Sequence, residues 1–344
     1  MKTKNIIKSI NFFAFIFLTA SEILLGCTSP SPFPIPKTKH TVEFKHSWSE
    51  IWEQTVYSVQ NEEMSSLGVA SGEVCFEGSL TNDDNYGIYC LESISGKLLW
   101  NEKVVDISCF LVSADAVYVA RSGGFTGVGK FDLKEGSLIW YQPIKGSGIS
   151  HLAFWNDELQ VLTVPHGLLG LDITTGEIIQ KYSDNDHVFL STSTELFILQ
   201  SKFTVVTRHT GKTLWATALG KTVWQAPVIL KNSILVRTGW TGGRVYNINR
   251  KTGDIFWRTK DDIISNIAYS KKQQAIYLLD KDGRLLKIDI NTGRQEVSMQ
   301  FTPSPFILNG ESVVGGYELA YDDNLNMLFV LLGDSRQMFA FQEN

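Results

Sequence analysis

The 344-residue chain holds few of the features that announce a known chemistry. It has no Gly-x-x-x-x-Gly-Lys-Ser/Thr phosphate loop, no His-Glu-x-x-His pair, no Cys-x-x-Cys and no Gly-x-Ser-x-Gly elbow. Those absences exclude P-loop, zincin, dithiol-redox and nucleophile-elbow chemistry. The six histidines are scattered. His40 and His46 precede the patterned region, and His151, His166, His187 and His209 fall in different parts of it, so no metal site is assigned. Basic blocks are absent and the net charge is −5, which argues against a nucleic-acid partner. No apolar run reaches the roughly 20 residues of a membrane-spanning helix, and no helical periodicity emerges along the chain.

What is present is a repeated phrase: an apolar–acidic pair, a turn, Gly, then Trp four residues on. It reads Leu91-Glu92-Ser93-Ile94-Ser95-Gly96-Lys97-Leu98-Leu99-Trp100, and again from Phe131-Asp132 through Gly136 to Trp140. Weaker copies run from Leu171-Asp172 to Gly176 and Gln180, Val206-Thr207 to Gly211 and Trp215, Ile248-Asn249 to Gly253 and Trp257, and Ile288-Asp289 to Gly293 and Val297. The glycines step by 40, 40, 35, 42 and 40 residues, a period that marks an array of supersecondary units.

Within residues 65–104, four short apolar runs (65–70, 73–77, 87–91 and 97–102) are separated by Gly, Asn, Asp and Ser clusters. Such runs read as strands joined by turns, and four strands per period of about forty residues make a β-propeller blade. The phrase glycine suits a hairpin turn needing φ > 0, and the acidic residue four back can accept from turn amides. Trp52, Trp100, Trp140, Trp215 and Trp257 fall on outermost strands and are assigned to packing between blades. Six complete units span residues 65–300. A seventh is short of one strand, with runs at 315–320, 327–332 and 337–341 before the chain ends. Residues 49–54, which carry Trp52, look like the missing outer strand, and pairing them with 337–341 closes the ring and removes an edge. The expected fold is all-β: a single seven-bladed β-propeller of four-stranded antiparallel blades, closed by the N-terminal strand.

These residues resemble the PQQ-like, quinoprotein alcohol-dehydrogenase-like, repeat family. The match lies in Asp132, Asp172 and Asp289, in Thr175-Gly176, Thr210-Gly211, Thr252-Gly253 and Thr292-Gly293, and in Trp100, Trp140, Trp215 and Trp257. The enzymes of that superfamily imply a quinone held beside calcium. This chain is shorter than they are, lacks their adjacent cysteines and shows no acidic–Asn cluster for a calcium cage. It looks more like BamB-type outer-membrane assembly lipoproteins, although those carry eight blades.

The N-terminus agrees with export. Lys2, Lys4 and Lys8 precede the apolar run 11–18, and Leu24-Leu25-Gly26-Cys27 resembles a lipobox with Cys27 as the lipidated residue. An uncleaved membrane anchor is the alternative. Residues 1–26 are read as a lipoprotein signal peptide, 27–47 as the lipidated Cys with a Pro-rich tether, and 48–344 as the propeller. Thr28 permits an outer-membrane destination. In an oxidising compartment Cys75 and Cys90, on adjacent strands, would form a disulfide or remain buried thiols, whereas Cys109 reads as core.

Propellers usually bind on the face formed by the loops between second and third strands and by the connections between blades. Gly-rich loops at 123–127, 165–167 and 238–243 fall there, and Arg121, Phe125, His166, Arg237 and Trp240 are the candidate protein-binding residues, with Arg121 and Arg237 taken as equivalent positions. Exposed rings and Arg dominate binding hot spots. The functional expectation is a non-catalytic scaffold, anchored through its lipid. It would bind envelope or membrane proteins through peptide segments, as a monomer within a complex and with no cofactor. The alternatives are a PQQ- and calcium-dependent dehydrogenase and a ligand or glycan sensor.

Overall fold

Alternating short strands and tight turns fold into seven antiparallel blades, with a separate two-stranded ribbon, Ile307–Leu308 and Glu311–Ser312. The computed structural model describes residues 39–45, 48–56, 67–81, 86–146, 148–164, 166–183, 187–199, 202–223, 226–239, 242–260, 262–302, 304, 307–308, 311–312, 317–332 and 337–344. Residues 1–38, which hold the expected signal peptide, Cys27 and most of the expected tether, lie outside those residues. Blades 1 to 6 occupy residues 67–102, 107–143, 148–183, 188–217, 228–258 and 268–302, each with four consecutive strands in spatial order. The seventh is composite. Tyr317–Asp322, Met327–Leu332 and Gln337–Glu343 supply three strands, and an N-terminal strand, Trp48–Thr55, supplies the fourth. It pairs antiparallel with Gln337–Glu343, from Trp48 opposite Glu343 to Thr55 opposite Gln337, so the expected closure is the observed one. Among the described residues the only helical element is a 3₁₀ turn, Gly123–Phe125.

We number the two N-terminal strands β1 (Thr41–Phe44) and β2 (Trp48–Thr55). The sequence reading assigned no strand to 41–44. β1 adds to the outer strand of blade 6, Gln295–Thr302, making that blade five-stranded. Three residues later β2 completes blade 7, so one short stretch of chain covers two adjacent blades.

The core lies in the seams between blades. Middle strands are buried on both faces, and their side chains alternate between two seams because successive residues of a strand point to opposite sides. On the second strand of blade 2, Val117 and Val119 pack toward blade 1 with Ile88 and Trp100, whereas Tyr118 and Ala120 pack toward blade 3 with Val161 and Leu171.

The repeated phrase builds a clasp across these seams. In the turns headed by Asp132, Asp172, Asn249 and Asp289 the side-chain oxygen accepts from amides two and three residues on, as in Lys134 N and Glu135 N to Asp132 Oδ1 at 2.9 and 2.8 Å. The indole Nε1 groups of Trp52, Trp100, Trp140, Trp215 and Trp257 then donate to carbonyls of the next blade's turn. The acceptors are Ser93, Leu133, Ile173, Arg250 and Ile290, at 2.8, 2.6, 3.3, 2.8 and 2.8 Å. Each acceptor stands three residues before the turn glycine. The rings lie so close over Gly96, Gly136, Gly176, Gly253 and Gly293 that a Cβ there would sit 2.6–2.8 Å from an indole atom. The glycine thus meets two demands, a positive φ and room for the neighbouring indole.

Two seams lack the clasp. Between blades 3 and 4 the Trp position is Gln180, whose Oε1 accepts from Arg208 at 2.8 Å while its Nε2 donates to Glu158 at 2.9 Å. The Arg208 guanidinium lies 4.3 Å from the Tyr182 ring centroid. Between blades 6 and 7, Glu343 takes Lys287 Nζ at 2.6 Å and Tyr277 OH at 2.9 Å, and Tyr277 stacks on Tyr321.

Candidate functional site

On blade 2 the second strand, Ala116–Arg121, leads into the Gly123–Phe125 turn. Gly123 has φ +84, which lets the chain fold back over Asp106. The turn turns Phe125 outward, 69 % exposed. Tyr141 of the outer strand fixes it by donating to the Phe125 carbonyl at 2.7 Å, and Arg121 Nε donates to the Val105 carbonyl at 3.1 Å. The guanidinium then sits 5.6 Å from the Phe125 ring centroid, an exposed cation–π pair. Val105, Tyr141 and Val164 are also exposed. His166, on the corresponding loop of blade 3, is exposed and packs over Gly146, in the connection from blade 2 to blade 3. The structure therefore brings Arg121 and Phe125 into contact, with His166 on the neighbouring loop.

Arg237 does not join them. Registering the two blades on their turn acids places Ala116 opposite Asp132 and Ser233 opposite Asn249, so Arg237 corresponds to Ala120 and Thr238 to Arg121. One residue of offset moves a strand side chain to the other face. Arg237 shares the face of Leu235, which packs in the seam with blade 6, and is only 9 % exposed. Burial pulls its pKa down to about 10, with Glu318 of blade 7's innermost strand acting in the opposite direction. Burial likewise pushes the Glu318 carboxyl up to about 8, against the pull of Arg237. The sequence treated Arg121 and Arg237 as equivalent, and the register corrects that. Trp240 lies outside the described residues.

Cys75 and Cys90 face one another across the second and third strands of blade 1 and are joined by a disulfide, their Cα atoms 4.1 Å apart. Cys109 is a buried free thiol, its pKa pushed up to about 12 mainly by burial. His151, on the innermost strand of blade 3, has a buried Nε2 with no hydrogen-bond partner, and burial lowers its pKa to about 4. A cleft of about 240 Å³ lies between blades 5 and 6, lined by Lys260, Asp262, Asp280, Arg284 and Glu296 among others. Two of its carboxylates are already matched, Asp280 by Arg284 at 2.7 Å and Asp262 by Lys281 at 2.8 Å. Among the described residues no three His, Cys, Asp or Glu side chains converge as metal ligands. No helix of the described residues is long and apolar enough to cross a membrane.

No curated protein matches the chain. Among solved structures, BamB from Moraxella catarrhalis aligns at 16 % identity and TM-score 0.48, over 83 % of this chain and 84 % of that one. A chain of the mitotic checkpoint complex aligns at 12 % identity and TM-score 0.66, over 88 % of this chain and 97 % of that one, a likeness of fold alone. Residues 47–187 and 181–314 match the family described as outer membrane protein assembly factor BamB. With repeats of the PQQ-like type running through most of its length, the chain belongs to that family.

Proposed function

We propose that this chain is a non-catalytic scaffold of the cell envelope, anchored through lipid at Cys27, that binds proteins undergoing assembly at the outer membrane. The observation that carries the reading is the family match along residues 47–314. The lipobox-like Leu24-Leu25-Gly26-Cys27 and the Pro-rich stretch after it support the anchor and the compartment. The rigid rim at blade 2, with its exposed Phe125 ring under Arg121, supports a docking surface, because a flat ring receives apolar side chains and a guanidinium receives carboxylates or carbonyls. The sequence carries none of the catalytic motifs sought above, which supports the non-catalytic part.

The test is crosslinking in cells from a photoreactive residue at position 125, followed by identification of the captured proteins. Envelope assembly proteins should be captured, and Arg121→Ala should reduce the yield. Cys27→Ala should shift the protein from the membrane to the soluble fraction. Capture of no envelope protein, together with turnover of a small molecule by the purified chain, would overturn the reading.

A further inference from the structure

Blade 6 carries a strand that its ring does not need. Closure is made by β2, and β1 lies outside it, joined to β2 through residues 45–47 alone. β1 pairs antiparallel with the end of the blade's outer strand, Thr41 with Thr302, Val42 with Phe301, Glu43 with Gln300 and Phe44 with Met299. The pairing extends to Lys45 N, which donates to the Ser298 carbonyl at 3.1 Å. Val42 and Phe44 pack on the cluster shared by blades 6 and 7, Phe44 edge-on to Phe341 at 5.8 Å, while Thr41 and Glu43 face water.

The register explains why this edge accepts a strand. In the other blades a bulge falls three residues after the turn glycine or at the corresponding place: at Leu99, Ile139, Ile179, Leu214, Phe256 and, in β2, Ile51. Bulges twist an edge and interrupt its ladder, which deters a further strand. In blade 6 the pairing runs unbroken through Val297 opposite Leu286, and the bulge slips to Ser298. Beyond it Met299–Thr302 is regular. The same stretch is shorter in blades 1, 4 and 5, and in blade 2 it ends at Pro143, which has no N–H to offer. Phe301 N donates inward to the Gly283 carbonyl at 2.8 Å, so the alternate residue Gln300 turns its backbone N–H and C=O outward to the added strand.

We propose that the edge Met299–Thr302 is a β-augmentation site for an extended segment with apolar residues at alternate positions, and that β1 is its resident occupant, displaced when such a segment binds. The apolar residues of the partner would take the places of Val42 and Phe44, with polar residues between them turned to water. The alternation of a strand from an unassembled β-barrel has that chemistry. Only this choice of partner rests on the scaffold reading, because the edge itself is tested with purified protein. The contacts leading into β1, His40 N to Gln337 Oε1 at 3.2 Å and Lys39 to Glu53 at 3.1 Å, set the affinity that a competitor must exceed.

The experiment measures fluorescence anisotropy of a labelled synthetic peptide with the sequence of residues 39–47. It is added to the full chain, to a Val42→Asp/Phe44→Asp variant, and to that variant with Gln300→Pro. A peptide of the same composition with its Val and Phe adjacent is the control. The double variant should bind the cognate peptide at least tenfold more tightly than the unaltered chain, and Gln300→Pro should abolish that binding. Equal affinity for the unaltered chain and the double variant, or binding unaffected by Gln300→Pro, overturns the proposal. If the variants fail to fold, hydrogen exchange on the unaltered chain decides. Amides of β1 should exchange well ahead of those of β2, and exchange of both only with global unfolding refutes a displaceable strand.

Discussion

Two glycines that look alike in the sequence should respond differently to the same substitution. Gly136 and Gly211 both follow the phrase turn, have φ of +70 and +66, and donate to the carbonyl four residues back at 3.0 and 2.9 Å. Alanine in that left-handed conformation costs roughly 1–2 kcal/mol at either place. At Gly211 nothing lies within 4 Å of the new methyl group, because the preceding blade offers Gln180 where blade 1 offers Trp100 to Gly136. At Gly136 the methyl would fall 2.6 Å from ring atoms of Trp100, a side chain only 8 % exposed. Moving that indole adds about 1–3 kcal/mol of overpacking. It also strains the 2.6 Å bond from Nε1 to the Leu133 carbonyl, which is worth about 1 kcal/mol. Gly136→Ala should therefore cost about 3–5 kcal/mol and Gly211→Ala about 1–2 kcal/mol. The assay is equilibrium urea unfolding of both variants, repeated for Gly136→Ala in a Trp100→Ala background, where its cost should drop to the Gly211 value. Equal costs at the two positions, or no coupling to Trp100, would show that the indole clasp does not set the price of a Cβ there.

Replacing Cys75 and Cys90 together by Ala should lower stability by about 3 kcal/mol, the loop-closure value for a bridge of this length; the cysteines are separated by 15 residues. An unchanged urea midpoint would reject the bridge as a stabilising element. His151 has its pKa lowered to about 4 from an ordinary 6.5, so the unfolded chain binds the proton first and stability falls as pH drops through that window. The loss near pH 5 should be about 2 kcal/mol, and His151→Leu should remove it; a pH profile identical in the variant and the unaltered chain would refute the assignment. Trp140→Ala should cost about 3–5 kcal/mol as a large packed aromatic, whereas Phe125→Ala should stay within about 0.5 kcal/mol in thermal or urea unfolding. Comparable losses in the two would contradict the division between seam and rim.

The division between what was legible and what was not follows the range of each interaction. Turn chemistry is local, so Asp132 with Gly136 and Asp289 with Gly293 could be recognised along the chain. Strand count and ring closure followed from the same repeats, because the seventh unit lacked a strand that residues 49–54 could supply. Of the proposed binding residues, Arg121, Phe125 and His166 stand on the rim, since loops with positive-φ glycines turn their side chains outward whatever the neighbouring blade contains. Arg237 failed because a strand has a period of two, and one residue of offset from Arg121 sends its side chain into a seam. No signal in its own neighbourhood marks that offset. It is visible only when both blades are registered on their turn acids.

By itself the sequence determined the repeat, the all-β blades, the turn residues and the tryptophans, because each depends on a few neighbouring residues and on their conformational preferences. Tertiary structure alone decided three things: the bulge that slides to Ser298, the strand β1 that occupies the edge beyond it, and the polar seams around Glu158 and Glu343. The bulge lies within one blade but matters only through the strand that pairs beyond it, and that strand comes from the opposite end of the chain, as Thr41 is from Thr302. Pairing at such separation is fixed by the geometry of the closed ring, which no local stretch encodes.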